Sequence, residues 1–321
     1  MKPRVSVLLP VYNGQRFLTE SIRSILNQSF KDFELIIIDD GSKDDSLQII
    51  KRFAKDDKRI IFKSRANAGL SATLNEAIGL AKGEYLARQD ADDISLPERL
   101  EKQVKYMDNT PDVGLVGSNY HAIDAKGAIF HTTNVFTKPG DLRLAQVLSN
   151  QFSHGVAMIR KTSLRKVGTY NTHFKIAQDV DLWCRISHDY QIANFVEPLY
   201  LWRSVNEGLS TKPENISATK REVSEIRERE FEYFRRNRKK YKLFTFHPLS
   251  TRNGVLVYLK KKNALFRNMS IMFCQSGLRR YSIPAMLVAW IYAPWVTDTY
   301  KQSFYITLSK SGRKKLEARN F

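Results

Sequence analysis

Phe33-Glu-Leu-Ile-Ile-Ile-Asp-Asp-Gly-Ser42 runs an almost wholly apolar stretch of strand length straight into a turn. Such a run suits a strand covered on both faces, and Asp-Asp-Gly-Ser supplies the residues that bond their own backbone in turns. The same pattern lies upstream. Val5-Ser-Val-Leu-Leu-Pro10 is followed by the turn signal Tyr12-Asn13-Gly14. Between the two runs, Phe17, Leu18, Ile22, Ile25 and Leu26 recur at helical spacing. Downstream, Leu47, Ile49, Ile50 and Phe53 space as a helix, Arg59-Ile-Ile-Phe62 as a strand, Leu70 to Ala81 as a helix, and Tyr85-Leu-Ala87 as a fourth strand. This alternation predicts an α/β fold, a mainly parallel Rossmann-like sheet with helices on both faces. Such sheets bind ligands at the carboxyl ends of their strands. Tyr12, Asp40, Asn67 and Asp90 all fall just past strand ends, so they are expected to line one crevice.

The fourth strand continues as Arg88-Gln-Asp-Ala-Asp-Asp93. If strand geometry persists one step, Asp90 and Asp92 point to the same side. Two like charges placed together are costly unless a cation sits between them. A hard divalent cation whose shell is completed by a substrate diphosphate is the usual solution. The bland alternative is a solvated acidic turn.

Taken together, Val5–Asn13 (VSVLLPVYN), Ser24–Phe30 (SILNQSF), Phe33–Ser42 (FELIIIDDGS), Asn67–Gly69 (NAG) and Gly83–Asp93 (GEYLARQDADD) resemble the family 2 glycosyltransferases of GT-A fold. The resemblance is dense over residues 4–105 and thinner to about residue 210. It implies an inverting, nucleotide-sugar-dependent transferase, with a donor most often UDP-linked. By that resemblance Tyr12 packs on the base, with backbone contacts from Pro10 and Val11. Asp40 accepts a hydrogen bond from the base, Asp39 being structural. Asn67 and Gly69 approach the donor, and Asp90-Ala91-Asp92 holds Mg or Mn and through it the diphosphate. Asp93 reads as a cap or a support, because Pro97 suits the first turn of the helix that follows.

The same family supplies a base on the acceptor side. Residues 178–186 read Gln-Asp-Val-Asp-Leu-Trp-Cys-Arg-Ile, and Leu182, Trp183, Ile186 and Tyr190 space as a helix that places Asp179 in its opening turn. The family usually shows Glu-Asp here. Gln178 leaves Asp179 as the expected base with a neutral neighbour, and Asp181 is the alternative. The missing carboxylate and the helix N-terminus should both lower the pKa of Asp179 slightly. His154, in Ser153-His154-Gly155, is an acceptor-site candidate or a structural histidine, and Trp183 is an acceptor platform or a core residue. Arg203 is a candidate diphosphate contact, although Val205 and Asn206 stand where the family often has a His before Ser210. No Gln-X-X-Arg-Trp sequence occurs, which favours transfer of a single sugar.

The 321 residues divide by charge. Residues 1–210 have a net charge of +3 and residues 211–321 one of +16. Expected parts are a donor-binding half over 1–110, an acceptor-binding and catalytic half over 111–210, and a basic, largely helical region over 211–321. That region opens with a helix-like stretch from Ile216 to Lys242 and contains an apolar run from Ile283 to Val296. At 14 residues the run is short of the roughly 20 needed to cross a bilayer. Its flanking aromatics and cations suit the interface of an anionic membrane, which would present a lipid-linked or other glycan acceptor. The two cysteines, Cys184 and Cys274, form no framework. Met1-Lys-Pro-Arg-Val enters a strand directly, without a signal peptide. The expected location is therefore cytoplasmic, peripheral on the inner face of the cell membrane, in cell-surface polysaccharide biosynthesis. Two rival readings are a basic nucleic-acid- or membrane-binding protein with a non-catalytic domain and a nucleotidylyltransferase. No nucleic-acid-binding motif supports the first. The second expects a Gly-rich phosphate loop where Pro10-Val-Tyr-Asn-Gly14 stands.

Overall fold

The computed structural model describes residues 2–135, 139–148, 150–205 and 213–237. Expectations that rest on Asn206 and Ser210, and those on the apolar run at 283–296, lie outside the described residues. The chain divides into one unit over Met1–Arg227 and another over Glu228–Phe321.

The first ninety residues fold as their periodicity predicts. Strands β1 (Val5–Val11), β2 (Phe33–Asp39), β3 (Ile60–Ser64) and β4 (Tyr85–Arg88) alternate with helices α1 (Leu18–Leu26), α2 (Ser46–Asp56) and α3 (Leu70–Leu80). The four strands are parallel, in the order β3-β2-β1-β4. Beyond β4 come the short β5 (Ile94–Ser95), α4 (Arg99–Asn109), β6 (Val113–Ile123), β7 (Ile129–Thr132), α5 (Pro139–Leu148), β8 (Met158–Arg160), α6 (Lys161–Val167), α7 (Gln178–Asp189), β9 (Gln191–Arg203) and α8 (Pro213–Arg236).

The sheet continues β4-β8-β6-β9-β5, and this part is mixed. β8 is antiparallel to β4 and β6, β9 is parallel to β6, and β5 is antiparallel to β9. The expectation of a mainly parallel sheet therefore holds for one half. The reason for the difference is local. Residues 154–156 form a 3-10 turn packed against the end of β4, so the chain enters β8 from the end at which β4 leaves the sheet.

Alternating strand residues build two cores, one on each face. On one face Val5, Val7, Leu9 and Val11 of β1 meet Leu18, Ile22 and Ile25 of α1 and Leu100, Val104 and Met107 of α4. On the other, Leu8, Ile36 and Ile38 meet Leu74, Ala77 and Ile78 of α3 and Leu182, Trp183 and Ile186 of α7. Both layers hold the carboxyl ends of β1 and β4 side by side, and the site forms there.

Candidate active site

Past the end of β1, Tyr12 is 52 % exposed. Its loop is braced against the turn after β2. The Asn13 N–H donates to Ser42 Oγ (3.0 Å), the Gly14 N–H to Ser46 Oγ (2.9 Å), and the Lys43 N–H to Asn13 Oδ1 (2.9 Å). Asn13 takes a φ of 51°, a left-handed conformation that Asn tolerates. Tyr12 thus has a fixed backbone and an open ring face.

Past the end of β4, Asp90, Ala91 and Asp92 lie on the same side of the sheet as Tyr12. Together with Pro10, Arg16 and Arg88 they line a cavity of about 550 Å³. Burial, and then the neighbouring Asp90 carboxylate, raise the pKa of Asp92 to about 6. Asp90 Oδ1 accepts from the Arg88 guanidinium at 2.6 Å. Asp93 points inward: it is fully buried, its Oδ1 accepts the Arg203 N–H (2.7 Å), and burial pushes its pKa well above the carboxylate range.

Asp90 and Asp92 offer hard oxygen donors, with the Asp90 carboxylate close enough to oppose the ionisation of Asp92. They fit a divalent cation whose remaining ligands come from a diphosphate. Among the described residues no group of three His, Cys, Asp or Glu side chains is arranged to hold a metal on its own.

The acceptor-side candidates come from the 3-10 turn before β8, whose Gly155 lies against Asp90, and from α7. Asp179 sits in the first turn of α7, 9 % exposed. Its Oδ2 accepts from Asn150 Nδ2 (2.9 Å) and its Oδ1 from the Val180 N–H (2.8 Å). Burial is the largest influence on it and raises its pKa to about 6, with the Asp90 charge adding to the rise. The sequence expectation of a slight lowering is therefore reversed, because desolvation outweighs both the helix N-terminus and the two hydrogen bonds. Asp181 is fully buried and paired with Arg185 at 2.7 Å, which removes it as the alternative base.

His154 Nε2 lies 2.9 Å from Tyr170 Oη. Burial, then Arg88, lower the His154 pKa well below 6.5, so the ring is neutral, while burial raises that of Tyr170. This neutral pair packs over Trp183, with ring centroids 6.0 and 6.4 Å away.

Four further candidates are engaged by the fold itself. Trp183 is fully buried and presents no face to an acceptor. Arg203 is 3 % exposed and spends its guanidinium on Glu20 (2.6 Å) and on the carbonyls of Asp92 (2.9 Å) and Asp124 (3.3 Å). It braces the Asp92 loop from behind. Asp40 is 4 % exposed, and its carboxylate takes the Ala68 N–H (2.8 Å), the Gly69 N–H (3.0 Å) and the Arg65 guanidinium. It therefore shapes the Asn67–Gly69 loop from below. Val11 is buried, and its carbonyl accepts the Asp40 N–H (2.7 Å).

Asn67 is exposed and donates through Nδ2 to the Asp40 carbonyl (3.0 Å), while Gly69, at φ 86°, precedes α3 in a conformation that favours glycine. Neither lines the cavity, nor do His154 and Asp179.

Three residues of the site escape a reading by motif. Arg88, 2 % exposed, lines the cavity and holds Asp90. Its signal is a charge closing an otherwise apolar strand. Asn150 and Tyr170 owe their roles to partners 29 and 16 residues away, and no local pattern marks them.

A family model for glycosyl transferase family 2 matches residues 6–168. An uncharacterized glycosyltransferase of Methanocaldococcus jannaschii is 39 % identical over 214 residues, covering 64 % of this chain and 72 % of the relative. A putative glycosyltransferase of Bacillus subtilis, EpsE, is 34 % identical over 218 residues, covering 65 % and 76 %. Among solved structures, S. aureus TarS 1-349 in complex with UDP-GlcNAc superposes with a TM-score of 0.59 at 18 % identity, covering 93 % of this chain and 92 % of that one. At that identity the likeness is one of fold.

Proposed function

The chain belongs to glycosyl transferase family 2, and on that basis we propose that it moves one sugar from a UDP-linked donor to a hydroxyl of a glycan or lipid-linked acceptor, with inversion, in cell-surface polysaccharide synthesis. The observation that carries the reading is a single cavity lined by an exposed tyrosine at one strand end and two crowded carboxylates at the next. Few ligands ask for an aromatic face and a paired-carboxylate metal site together, and a nucleoside diphosphate does.

In this reading Tyr12 stacks on the base. Asp90 and Asp92 would hold Mg or Mn, which when bound neutralises charge growing on the diphosphate leaving group. Arg88 and Arg203 keep the Asp90–Asp93 loop in place by gripping Asp90 and the Asp92 carbonyl. Asp179 takes the proton of the acceptor hydroxyl as that oxygen attacks the anomeric carbon, and Asn150 keeps the carboxylate aimed. The neutral His154–Tyr170 pair can exchange hydrogen bonds with a sugar hydroxyl without introducing a second base. One displacement inverts the configuration and requires no protein nucleophile. The strongly basic region 211–321 would hold the enzyme on the cytoplasmic face of an anionic membrane, where lipid-borne acceptors are presented.

The test is calorimetry with UDP-, GDP- and dTDP-sugars, in Mn and after chelation, on the natural chain and on Asp92→Ala. Binding of the UDP-sugars alone, dependent on metal and lost in the variant, is the expected result. A folded protein that binds no donor would overturn the reading.

A further inference from the structure

The helix that carries Asp179 has no cap of its own. Its N-cap position is Ala177, a poor capping residue that makes no side-chain bond, and within the first turn the Asp179 carboxylate meets the Val180 N–H. The three residues that lead into the helix are held from α8. Glu222 Oε1 accepts the Lys175 N–H (3.1 Å), and Oε2 accepts those of Ile176 (3.0 Å) and Ala177 (2.9 Å). Three consecutive N–H groups, ending at the N-cap Ala177, thus converge on one carboxylate just ahead of the helix, where negative charge also suits the helix dipole.

The same segment is tied down on its other side. Asn75 exchanges hydrogen bonds with the Tyr170 backbone (2.8 and 3.0 Å), and Ser71 Oγ donates to the Phe174 carbonyl at 3.2 Å. Residues 170–179 are therefore strung between α3 and α8, and they carry both Tyr170 and Asp179. α8 has other attachments, a buried Ile226 and a hydrogen bond from Arg227 Nε to the Val147 carbonyl (3.2 Å). Loss of the Glu222 carboxylate alone would leave these in place.

We propose that Glu222 is a positioning residue for the transfer reaction: its carboxylate ties down residues 175–177, which lead into α7, and so fixes the backbone that aims Asp179. The proposal rests on Asp179 as the base. It makes part of the catalytic apparatus out of a helix that lies beyond the residues matched by the family model.

The first measurement does not depend on activity. Hydrogen exchange on the full chain compares the natural protein with Glu222→Ala and Glu222→Gln. The expected result is faster exchange over residues 175–180 in the alanine variant, with the sheet unchanged. Unchanged protection there overturns the proposal whatever the enzyme transfers, whereas a failure of the glycosyltransferase reading alone would leave this result intact. The second measurement separates positioning from folding. Glu222→Ala should lower kcat by about 10- to 100-fold, the scale on which misplaced groups act, while UDP affinity stays within about twofold. Glu222→Gln, which keeps an acceptor oxygen, should restore part of the loss. An unchanged kcat, or a parallel loss of nucleotide affinity and thermal stability in both variants, would overturn it.

Discussion

Asp179 shows how burial sets chemistry at a single residue. Its neighbours in sequence point to a low pKa, yet removal from water lifts it to about 6. Protonation below that value removes the base, so kcat should fall toward acid with an apparent pKa near 6, measurable as a pH–rate profile at saturating donor. The same shift has a stability sign. The folded pKa lies above the unfolded one, so the contribution of this group is fully present below about 3.8 and is lost as pH rises through about 6. At pH 7 the ionised carboxylate costs on the order of 2–3 kcal/mol. Asp179→Asn should therefore lower transfer by about 10²- to 10⁴-fold while raising Tm by roughly 5 °C at pH 7, a gain that shrinks as pH falls through about 6 and is gone below about 3.8. A variant that loses activity and stability together would mean that the carboxylate is structural. The residues legible in the sequence are those whose place in the cavity follows from local spacing, such as Tyr12, Asp90 and Asp92. Asp40, Trp183 and Arg203 were legible only as positions, because Arg65, Tyr170 and Glu20 decide what their side chains do, and those contacts are made by the fold.

Elements divide along the same line. β1 to β4 and α1 to α3 are each written in a local period, and their parallel order follows from alternation with helices. The second half of the sheet is not written that way. β6 carries Gly114, Gly117, Ser118 and Asn119, which dilute any apolar period, and β8 is three residues long. Their places depend on pairing across the fold: β8 slots between β4 and β6, and β9 runs the length of β6 before meeting β5. The turn that feeds β8 has a sharp requirement. A Cβ on Gly155 would collide with Tyr200 Oη and come within 2.7 Å of Asp90 Oδ2. Tyr200 is itself fully buried and accepts the Asp90 N–H at 3.2 Å, so it cannot yield without moving the Asp90–Asp92 loop. Gly155→Ala should therefore cost about 1–3 kcal/mol of stability, as overpacking does, and should weaken metal-dependent nucleotide binding. Thermal melts and calorimetry on the same sample check both, and an unshifted nucleotide affinity would show that the loop adjusts freely.

Across the whole molecule, charge is the property most uneven in the sequence and least tied to the sheet. The first 210 residues are nearly balanced, whereas residues 211–321 carry a net +16. Within the sheet unit the acidic loop is answered internally, since Arg88 pairs with Asp90, and Arg203 braces the Asp92 carbonyl and pairs with Glu20. Among the described residues of the basic region Arg229 and Arg236 pair with Glu230 and Glu232, so it is the region's net excess of +16 that an outside surface would meet. Among the described residues no helix is long and apolar enough to cross a membrane, so surface attraction is the mode to test. It should be worth about 1 kcal/mol for each cation held near an anionic bilayer. It should also weaken between about 0.1 M and about 1 M salt, as the screening length falls from about 10 Å to about 3 Å. The full chain is therefore expected to sediment with vesicles containing phosphatidylglycerol and not with phosphatidylcholine alone, and to be released by salt. Equal binding to neutral vesicles would move the attraction from the cations to the apolar segment at 283–296. Binding to neither would detach the basic region from the membrane and leave its charge for a soluble polyanionic acceptor.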